Sequence, residues 1–291
     1  MGKRLFKAIK NNLIYFFVVL LLCLFKFIPT FLMRLTLKSI ALFAYYLPTR
    51  ENRIARLNLA QFFDEKTSDK IRKDMYLNWA RSLEEILRVI VKGEDVDKFV
   101  TMPEGSREVL DEALQKRSGV IYFTAHMGNW ELMAIYLARC GYDINTIAKE
   151  SYDRRFTELI RRFREDNKVK CIFRNEDNIM ERIENVLRSN GIMGFLIDQN
   201  TKVLSVDVNF IGRLAPTPVV PVRIMKRNNT PSIVGYIHRG DKKNIIEIKR
   251  LEYSHSEDER VILERINGII SEGIMKYPSE WIWIHNRWNI S

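Results

Sequence analysis

The sequence of 291 residues contains only three cysteines, 13 glycines and 8 prolines. Cys23, Cys140 and Cys171 are odd in number and far apart, which argues against a disulfide framework and against a Cys-x-x-Cys metal site. The low glycine and proline content excludes a collagen-like chain, and the 46% of hydrophobic residues excludes a disordered one. A reducing compartment is therefore expected, and the length fits one large α/β domain or two small ones.

The first 50 residues contain no acidic residue, although the whole chain contains 36. Their lysines and arginines contribute +8 of the net charge of +11. A nucleic-acid-binding protein usually spreads its basic residues over the folded domain, so we expect no nucleic-acid partner. Basic residues around an apolar segment are typical of attachment to an anionic membrane surface. The eight basic residues are Lys3, Arg4, Lys7, Lys10, Lys26, Arg34, Lys38 and Arg50.

The segment from Leu13 to Phe25 has no charged residue, and a longer apolar run would have to include Lys26 and Pro29. Thirteen helical residues span about 20 Å, less than the ~30 Å hydrocarbon core of a bilayer. The following residues do not resemble a signal-peptide cleavage site. We predict an uncleaved membrane anchor in residues 1–50 that either spans the membrane or lies in its interface. The alternative is an unusually apolar first helix of a soluble domain.

Residues 51–100 have helical periodicity, and from Gly119 onward strand-like and helix-like segments alternate, which is typical of βαβ units. No linker separates two domains. We therefore predict one α/β domain with a mostly parallel central sheet flanked by helices, together with an N-terminal membrane-associated helix. Strands are predicted at 120–125, 143–148, 169–173, 191–197, 206–210, 232–238 and 245–251, and helices at 58–63, 75–91, 107–116, 130–140, 152–167, 178–189 and 258–276.

Polar residues stand at the carboxyl ends of two predicted strands, where open α/β sheets bind their ligands. His126 follows the strand at 120–125, and Asp198 and Gln199 follow the strand at 191–197. This placement predicts a ligand site at that edge of the sheet.

The segment from Thr124 to Glu131, Thr-Ala-His-Met-Gly-Asn-Trp-Glu, carries the clearest chemical signal. On one continuous helix, His126 and Glu131 would lie about 140° apart and could not cooperate. If Asn129 caps a helix, Glu131 lies in its first turn and His126 lies in the preceding loop, where Gly128 allows a tight bend. Glu131 could then orient the imidazole as the acid of a catalytic triad does, beside helix N–H groups that could bind an oxyanion. The alternative is a buried structural histidine beside a helix-capping acid.

Motifs of covalent or nucleotide-dependent catalysis are absent from the sequence. It contains no Gly-x-Ser-x-Gly elbow, no P-loop and no Gly-x-Gly-x-x-Gly fingerprint, and Cys140 lies late in a predicted helix. The next histidine after His126 is His238, so we expect no zinc site, no other metal and no cofactor. We predict that His126 is a general base that activates a substrate hydroxyl for direct attack.

Two further segments have unusual compositions. The predicted helix at 152–167 has an apolar stripe and five arginines on its remaining surface, and Arg174 follows the next strand. Such a surface is either a solvated helix face or, beside a His/Glu site, one that binds phosphates or an acidic carrier protein. Near the C-terminus, the tryptophan-rich segment 281–288 is predicted to be a capping strand that fills the edge of the core.

Four elements occur in order along nearly the whole chain. They are the apolar N-terminal segment with His126-Met-Gly-Asn-Trp-Glu131, the pair Asp198-Gln199, the stretch Phe210-Ile-Gly-Arg-Leu-Ala-Pro-Thr-Pro218, and Trp283-Ile-His-Asn-Arg287. Together they resemble the lauroyl/myristoyl acyltransferase family of lipid A biosynthesis. The His-x4-acid motif alone is shared with the wider glycerolipid acyltransferase superfamily, whereas the ordered set is specific.

The resemblance implies an enzyme of the inner membrane whose catalytic domain faces the cytoplasm. It would transfer a fatty acyl chain from an acyl-carrier-protein thioester, or from coenzyme A, to a hydroxyl of a lipid A precursor. On this pattern His126 is the general base and Glu131 is its partner. The candidate substrate-binding residues are Gly128, Asn129, Arg164, Arg174, Asp198, Gln199 and Arg287.

Alternative functions remain open at this point. An acyltransferase for another glycolipid or a phospholipid would use the same base, and a thioesterase would replace the acceptor hydroxyl with water. A non-catalytic module that binds acidic lipids through residues 1–50 would need neither His126 nor Glu131.

Overall fold

The computed structural model describes residues 2–151 and 153–290, with side chains from residue 11 onward. The helices in this part of the chain are α1 (Gly2–Phe27), α2 (Thr30–Tyr46), α3 (Arg50–Leu59), α4 (Glu65–Ile90), α5 (Glu104–Gln115), α6 (Trp130–Arg139), α7 (Arg154–Asp166), α8 (Ile179–Arg188), α9 (Val220–Asn228) and α10 (Glu259–Lys276). The strands are β1 (Val100–Thr101), β2 (Val120–Thr124), β3 (Ile144–Ala148), β4 (Lys170–Phe173), β5 (Ile192–Leu196), β6 (Ser205–Phe210), β7 (Arg213–Pro218), β8 (Ser232–Arg239) and β9 (Asn244–Arg250).

Seven strands form the central sheet in the order β1-β9-β8-β2-β5-β3-β4. All neighbouring strands in it are parallel except the pair β8 and β9. Strand β2 lies in the middle, with β5 on one side and β8 on the other, and Thr124 pairs with Leu196 at the shared carboxyl end. The predicted single α/β domain with a mostly parallel sheet is therefore confirmed.

Both faces of the sheet are covered, which explains why its strands read as continuous apolar runs. Successive residues of β2 enter opposite cores because side chains alternate along a strand. Ile121 and Phe123 join the core formed with α9, α10 and the C-terminal tryptophans. Val120 and Tyr122 join the core formed with α5 and α6. This packing fixes the carboxyl end of β2, from which the loop carrying His126 leaves the sheet.

The chain between β5 and β8 departs from the prediction. The strand expected at 206–210 exists as β6, but it pairs antiparallel with β7 in a separate two-stranded ribbon. Strand β7 was not predicted because it contains Pro216 and Pro218. Proline cannot donate a hydrogen bond to a neighbouring strand, so it argues against a central strand. A two-stranded ribbon leaves one side of each strand unpaired, which accommodates the missing N–H groups. Helix α9 was also not predicted.

The C-terminal segment fills the core, as predicted, but not as a strand. Trp281 and Trp283 have no exposed surface, and the only pairing recorded for this segment in the described chain is a bridge between Trp281 and Met127. The start of the predicted helix at 152–167 includes Tyr152, which lies outside the described residues.

The apolar N-terminal segments are helical and pack on the rest of the protein through one face. Met33 and Leu37 of α2 are buried with Leu87 of α4, and Arg34 donates two hydrogen bonds of 2.9 Å to Glu84. Many large apolar side chains of the other face are exposed: Leu13, Phe16, Phe17, Leu20, Leu24, Phe27, Phe31, Leu32, Leu35, Ile40, Phe43 and Tyr46. Within the described residues, no helix meets both the length and the hydropathy required of a membrane span. The division into an anchor at 1–50 and a catalytic domain at 51–291 stays a prediction.

Candidate active site

A short loop between β2 and α6 carries His126, as the sequence predicted. Asn129 caps α6 through its Oδ1, which accepts from the N–H of Leu132 at 3.4 Å. Gly128 has a positive φ of 57°, and a Cβ at that position would lie 2.2 Å from the carbonyl oxygen of Ile237. Any other residue would therefore meet both a strained backbone and a collision with β8. The tight bend places His126 at the end of the sheet.

Asp198 is the side chain that holds the imidazole. It lies just past the end of β5, beside the loop that follows the neighbouring strand β2. His126 Nδ1 is 2.8 Å from Asp198 Oδ1, and the backbone N–H of His126 donates to Oδ2 at 2.9 Å. The indole N–H of Trp281 also donates to Oδ2, at 2.7 Å. Asp198 has no exposed surface.

The surroundings of Asp198 fix the protonation of this pair. Burial alone would raise the pKa of Asp198, but His126 and the hydrogen bonds from His126 and Trp281 hold that pKa below its usual value. A carboxylate can only accept, so the Nδ1 of His126 carries the hydrogen. In a neutral imidazole, Nε2 then has the free lone pair. His126 is thus held in the tautomer that can act as a base.

Glu131 does not orient His126, and this corrects the expectation from the sequence. Its two oxygens accept from Arg164 of α7, with distances of 2.5 Å from Nη2 and 3.1 Å from Nε. The physical reason is that a guanidinium fork engages both carboxylate oxygens at once, while Asp198 reaches the imidazole from the adjacent strand. In the described hydrogen bonds, Glu131 therefore pairs with Arg164, whereas the ring of His126 pairs with Asp198.

The Glu131–Arg164 pair is part of a cleft wall. Both side chains are partly exposed, 22% for Glu131 and 15% for Arg164. Burial alone would lower the pKa of Arg164, but the charge and hydrogen bonds of Glu131 raise it above its usual value. Arg164 Nη1 also lies 3.5 Å from the sulfur of Cys171. This arginine stays fully charged in the cleft that His126 also lines.

The cleft has a volume of about 620 Å³, which lies within the range of small-molecule sites. Trp130 packs edge-on against the His126 ring, with 5.2 Å between the ring centroids. Three positively charged side chains, Lys149, Arg164 and Arg174, share the lining with the polar Gln199 and Thr201 and with apolar residues of α8 and α9. The cleft combines one base, a cationic rim and an apolar wall. The predicted site residues that line it are His126, Glu131, Arg164, Arg174 and Gln199.

Arg287 lies away from the cleft, which corrects its expected role in substrate binding. Its side chain is fully buried, donates to Thr217 Oγ1 at 2.7 Å and to the carbonyl oxygen of Pro216, and lies over the ring of Phe210. Burial lowers the pKa of Arg287 to about 10. Arg287 therefore fastens the C-terminal segment to β7.

Three other expected substrate-binding residues have structural partners instead. Gly128 and Asn129 shape the loop behind His126, with Asn129 only 2% exposed, and Asp198 is covered by His126 and Trp281. None of these three lines the cleft that contains His126. Gly128 and Asn129 line instead a neighbouring pocket of about 330 Å³, which shares Trp130 and Glu131 with the cleft. All three residues position the loop that carries the base.

Two further residues were not assigned to the site from the sequence, although both lie in the C-terminal segments singled out there. Trp281 was predicted only to fill the core, yet its indole N–H holds Asp198. His285 Nε2 accepts from the backbone N–H of Asn200 at 2.9 Å and so fixes the loop after Asp198. The role of Asp198 itself could have been found, because parallel strands bring their carboxyl ends to one edge.

The family model of the bacterial lipid A biosynthesis acyltransferases matches residues 2–289, which is nearly the whole chain. This match confirms the resemblance that the four ordered motifs indicated. Among curated proteins, no individual sequence matches this one.

Proposed function

Because the chain belongs to the bacterial lipid A biosynthesis acyltransferase family, and is thus an acyltransferase for a lipid A precursor, we propose that its donor is an acyl-carrier-protein thioester. The acyl chain passes directly to a hydroxyl of the acceptor, without a covalent enzyme intermediate. The observation that carries this mechanism is the His126–Asp198 pair at 2.8 Å, with His126 lining the cleft. Coenzyme A is the alternative donor.

His126 acts as the general base in this proposal. Its Nε2 takes the proton of the acceptor hydroxyl as the hydroxyl oxygen attacks the thioester carbonyl carbon. Asp198 stabilises the imidazolium that forms, and the tetrahedral intermediate then collapses with cleavage of the carbon–sulfur bond. His126 returns the proton to the leaving thiolate. General-base catalysis of this kind contributes on the order of 10²–10⁴ to the rate.

Arg164 is the group in the cleft best suited to stabilise the oxyanion. The N–H of Gly128 already donates to the carbonyl oxygen of Glu280 at 2.9 Å, so it does not serve that purpose. The described hydrogen bonds of Arg164 use one N–H each of Nε, Nη1 and Nη2, whereas a guanidinium has five. Glu131 then acts by holding Arg164 in the cleft wall, and not through His126.

A donor with a phosphate or acidic surface fits the positive rim of the cleft. On α7 itself, Arg155, Arg161 and Arg162 pair with neighbouring acids. Lys149 and Arg174 face the cleft, and their charge can attract a phosphate-bearing donor arm. The apolar wall opposite them suits a fatty acyl chain.

The test uses purified wild-type and His126→Ala protein in detergent with a radiolabelled acyl-carrier-protein thioester, in the presence or absence of a Kdo-bearing lipid A precursor. We expect label in the lipid only with the wild-type enzyme, and weaker transfer from the coenzyme A thioester of the same chain. Equal transfer by His126→Ala would refute the mechanism. Label released as free acid regardless of lipid would identify a thioesterase, and transfer only to another glycolipid or phospholipid would identify a different acceptor.

We also propose that α1 and α2 attach the enzyme to the inner membrane, with the catalytic domain on the cytoplasmic side. Their exposed apolar side chains, such as Phe16 at 66% and Phe43 at 67%, form a large apolar surface, which in soluble monomers is rare. The adjacent lysines and arginines favour anionic lipids and the cytoplasmic side. The protein should float with anionic vesicles more than with neutral ones, and Phe16→Ser with Phe43→Ser should reduce flotation. Unchanged flotation of this variant would contradict the attachment.

A further inference from the structure

We infer that Glu85 of α4 is a positioning residue for acyl transfer, because it fixes the side chain of Asn129 and thereby the loop that carries His126. The inference rests on the proposed role of His126 as the base. Glu85 belongs to a buried polar cluster outside the cleft, so it acts through Asn129 and touches no substrate.

The carboxylate of Glu85 accepts hydrogen bonds from side chains in three separate parts of the chain. Its Oε2 accepts from Asn129 Nδ2 at 3.1 Å and from Asn244 Nδ2 at 2.9 Å. Its Oε1 accepts from Arg239 Nη1 at 2.7 Å. Only 7% of Glu85 is exposed. A buried carboxylate with this many donors holds its neighbours in defined orientations, because each lost bond would leave a buried polar group unsatisfied.

The contact with Asn129 sets which way its amide group points. Both described hydrogen bonds of Asn129 Nδ2 go to α4, one to Glu85 and one to the carbonyl oxygen of Ser82 at 3.1 Å. The amide oxygen is thereby turned toward α6, where it accepts from the N–H of Leu132. Helix α4 thus fixes the cap at the start of α6.

Contacts with other parts of the chain hold the loop at three of its residues. His126 is held by Asp198, Gly128 donates to the carbonyl oxygen of Glu280 and fits tightly against Ile237, and Asn129 is held by Glu85. Loss of the contact with Glu85 leaves the carbonyl oxygen of Ser82 as the one described partner of Asn129 Nδ2, and so loosens the end of the loop that joins α6. A displacement of about 1 Å at a catalytic group can cost on the order of 10² in rate. The effect should appear in kcat, since the donor-binding surface of the cleft is unchanged.

The preceding residue, Glu84, supplies a matched control. It is also buried, with 3% exposure, and it also pairs with arginines: Arg34 at 2.9 Å and Arg88 at 3.5 Å. Its described hydrogen bonds and ion pairs do not reach the His126 loop. Glu84→Gln therefore removes the same charge from the same helix without releasing Asn129.

The experiment is a kinetic double-mutant cycle with Asn129→Ser, because serine can still cap a helix but cannot replace the amide contacts with α4. We expect Glu85→Gln to lower kcat by about 10- to 100-fold with little change in KM for the donor. The double variant Glu85→Gln/Asn129→Ser should be no slower than the slower single variant, within about threefold. Glu84→Gln should keep kcat within about threefold of wild type, and its effect should multiply with that of Asn129→Ser.

Purely additive effects of Glu85→Gln and Asn129→Ser on ln kcat would overturn the inference, and so would a kcat of Glu85→Gln equal to that of Glu84→Gln. Rates are compared on protein shown to be folded by circular dichroism. If Glu85→Gln does not fold, Glu85→Asp replaces it in the cycle, since it keeps the charge but shortens the reach to Asn129. Failure of the proposed mechanism is seen separately, as transfer activity that survives His126→Ala.

Discussion

Asp198 and Glu131 are two carboxylates at the same end of the sheet, and they differ in the kind of partner they hold. Asp198 is fully buried and binds an imidazole, the adjacent backbone N–H and an indole N–H. Glu131 is partly exposed and binds a guanidinium. An imidazole can gain and lose a proton during a reaction near neutral pH, whereas a guanidinium stays charged. Only the first pair is built for proton transfer.

The comparison shows that distance along the sequence is a poor guide to which acid serves the base. Glu131 is five residues from His126, while Asp198 is 72 residues away. Parallel pairing of β2 with β5 brings the two strand ends side by side, and this register places Asp198 next to the ring. The first turn of α6 directs Glu131 to α7 instead.

The largest effect should come from Asp198→Asn. An amide offers one acceptor oxygen where the carboxylate offers two, so the three donors from His126 and Trp281 cannot all be satisfied. The favoured tautomer of His126 and the stabilisation of its imidazolium are both lost. We expect kcat to fall by about 10³- to 10⁴-fold, as when the acid of a Ser-His-Asp triad is replaced by its amide. Single-turnover transfer measures this loss, and a decrease of less than tenfold would show that Asp198 does not support the base.

Glu131→Gln should have a smaller effect, because it leaves the His126–Asp198 pair intact. The variant deprives Arg164 of its counter-charge but keeps one possible hydrogen bond to it. We expect kcat/KM to fall by roughly 10-fold, in line with a changed charge-assisted hydrogen bond of about 1.5 kcal/mol. Steady-state kinetics beside Asp198→Asn provide the check. If Glu131→Gln were as slow as Asp198→Asn, the distinction between the two carboxylates would be wrong, and Glu131 would have to contact His126 during turnover.

Much of the sheet was readable from the sequence because its strands are buried on both faces. Apolar runs such as β2 and β5 carry that signal by themselves. Strand β7 could not be read, since Pro216 and Pro218 oppose a strand and only its pairing partner β6 makes one. The position of β6 outside the main sheet is a tertiary feature with no local signal.

The sequence predicted residues of the site but not how they pair, because the pairing also depends on tertiary structure. His126, Gln199 and Asp198 were found because they follow strands, and the structure brings them to one edge. Which acid meets the histidine depends on β2 lying beside β5, and strand order is not encoded in local periodicity. Arg287 was misassigned because a buried arginine and a ligand-binding arginine look alike in a sequence.

The smallest effect concerns Glu280, which is buried like Asp198 but does not have the hydrogen-bond donors that Asp198 has. It is 7% exposed, and in the described structure its Oε2 has no hydrogen-bond partner. Burial raises the pKa of Glu280, although Arg239 opposes the shift. An acid whose pKa is higher in the folded state than in the unfolded state binds protons preferentially when folded. Its ionisation therefore reduces the free energy of unfolding as the pH rises above the unfolded value of about 4.3.

Glu280→Gln removes this ionisation while keeping the size of the side chain. The variant should be more stable than wild type at pH 7 to 8, with a Tm higher by about 2–4 °C if the gain is 1 kcal/mol. The difference should shrink toward zero near pH 4, where the unfolded wild-type carboxyl also binds its proton. Thermal unfolding of both proteins across this pH range measures the difference. A variant that is less stable than wild type at pH 7 would mean that Arg239 outweighs burial, and that Glu280 is held as a carboxylate in the way that Asp198 is.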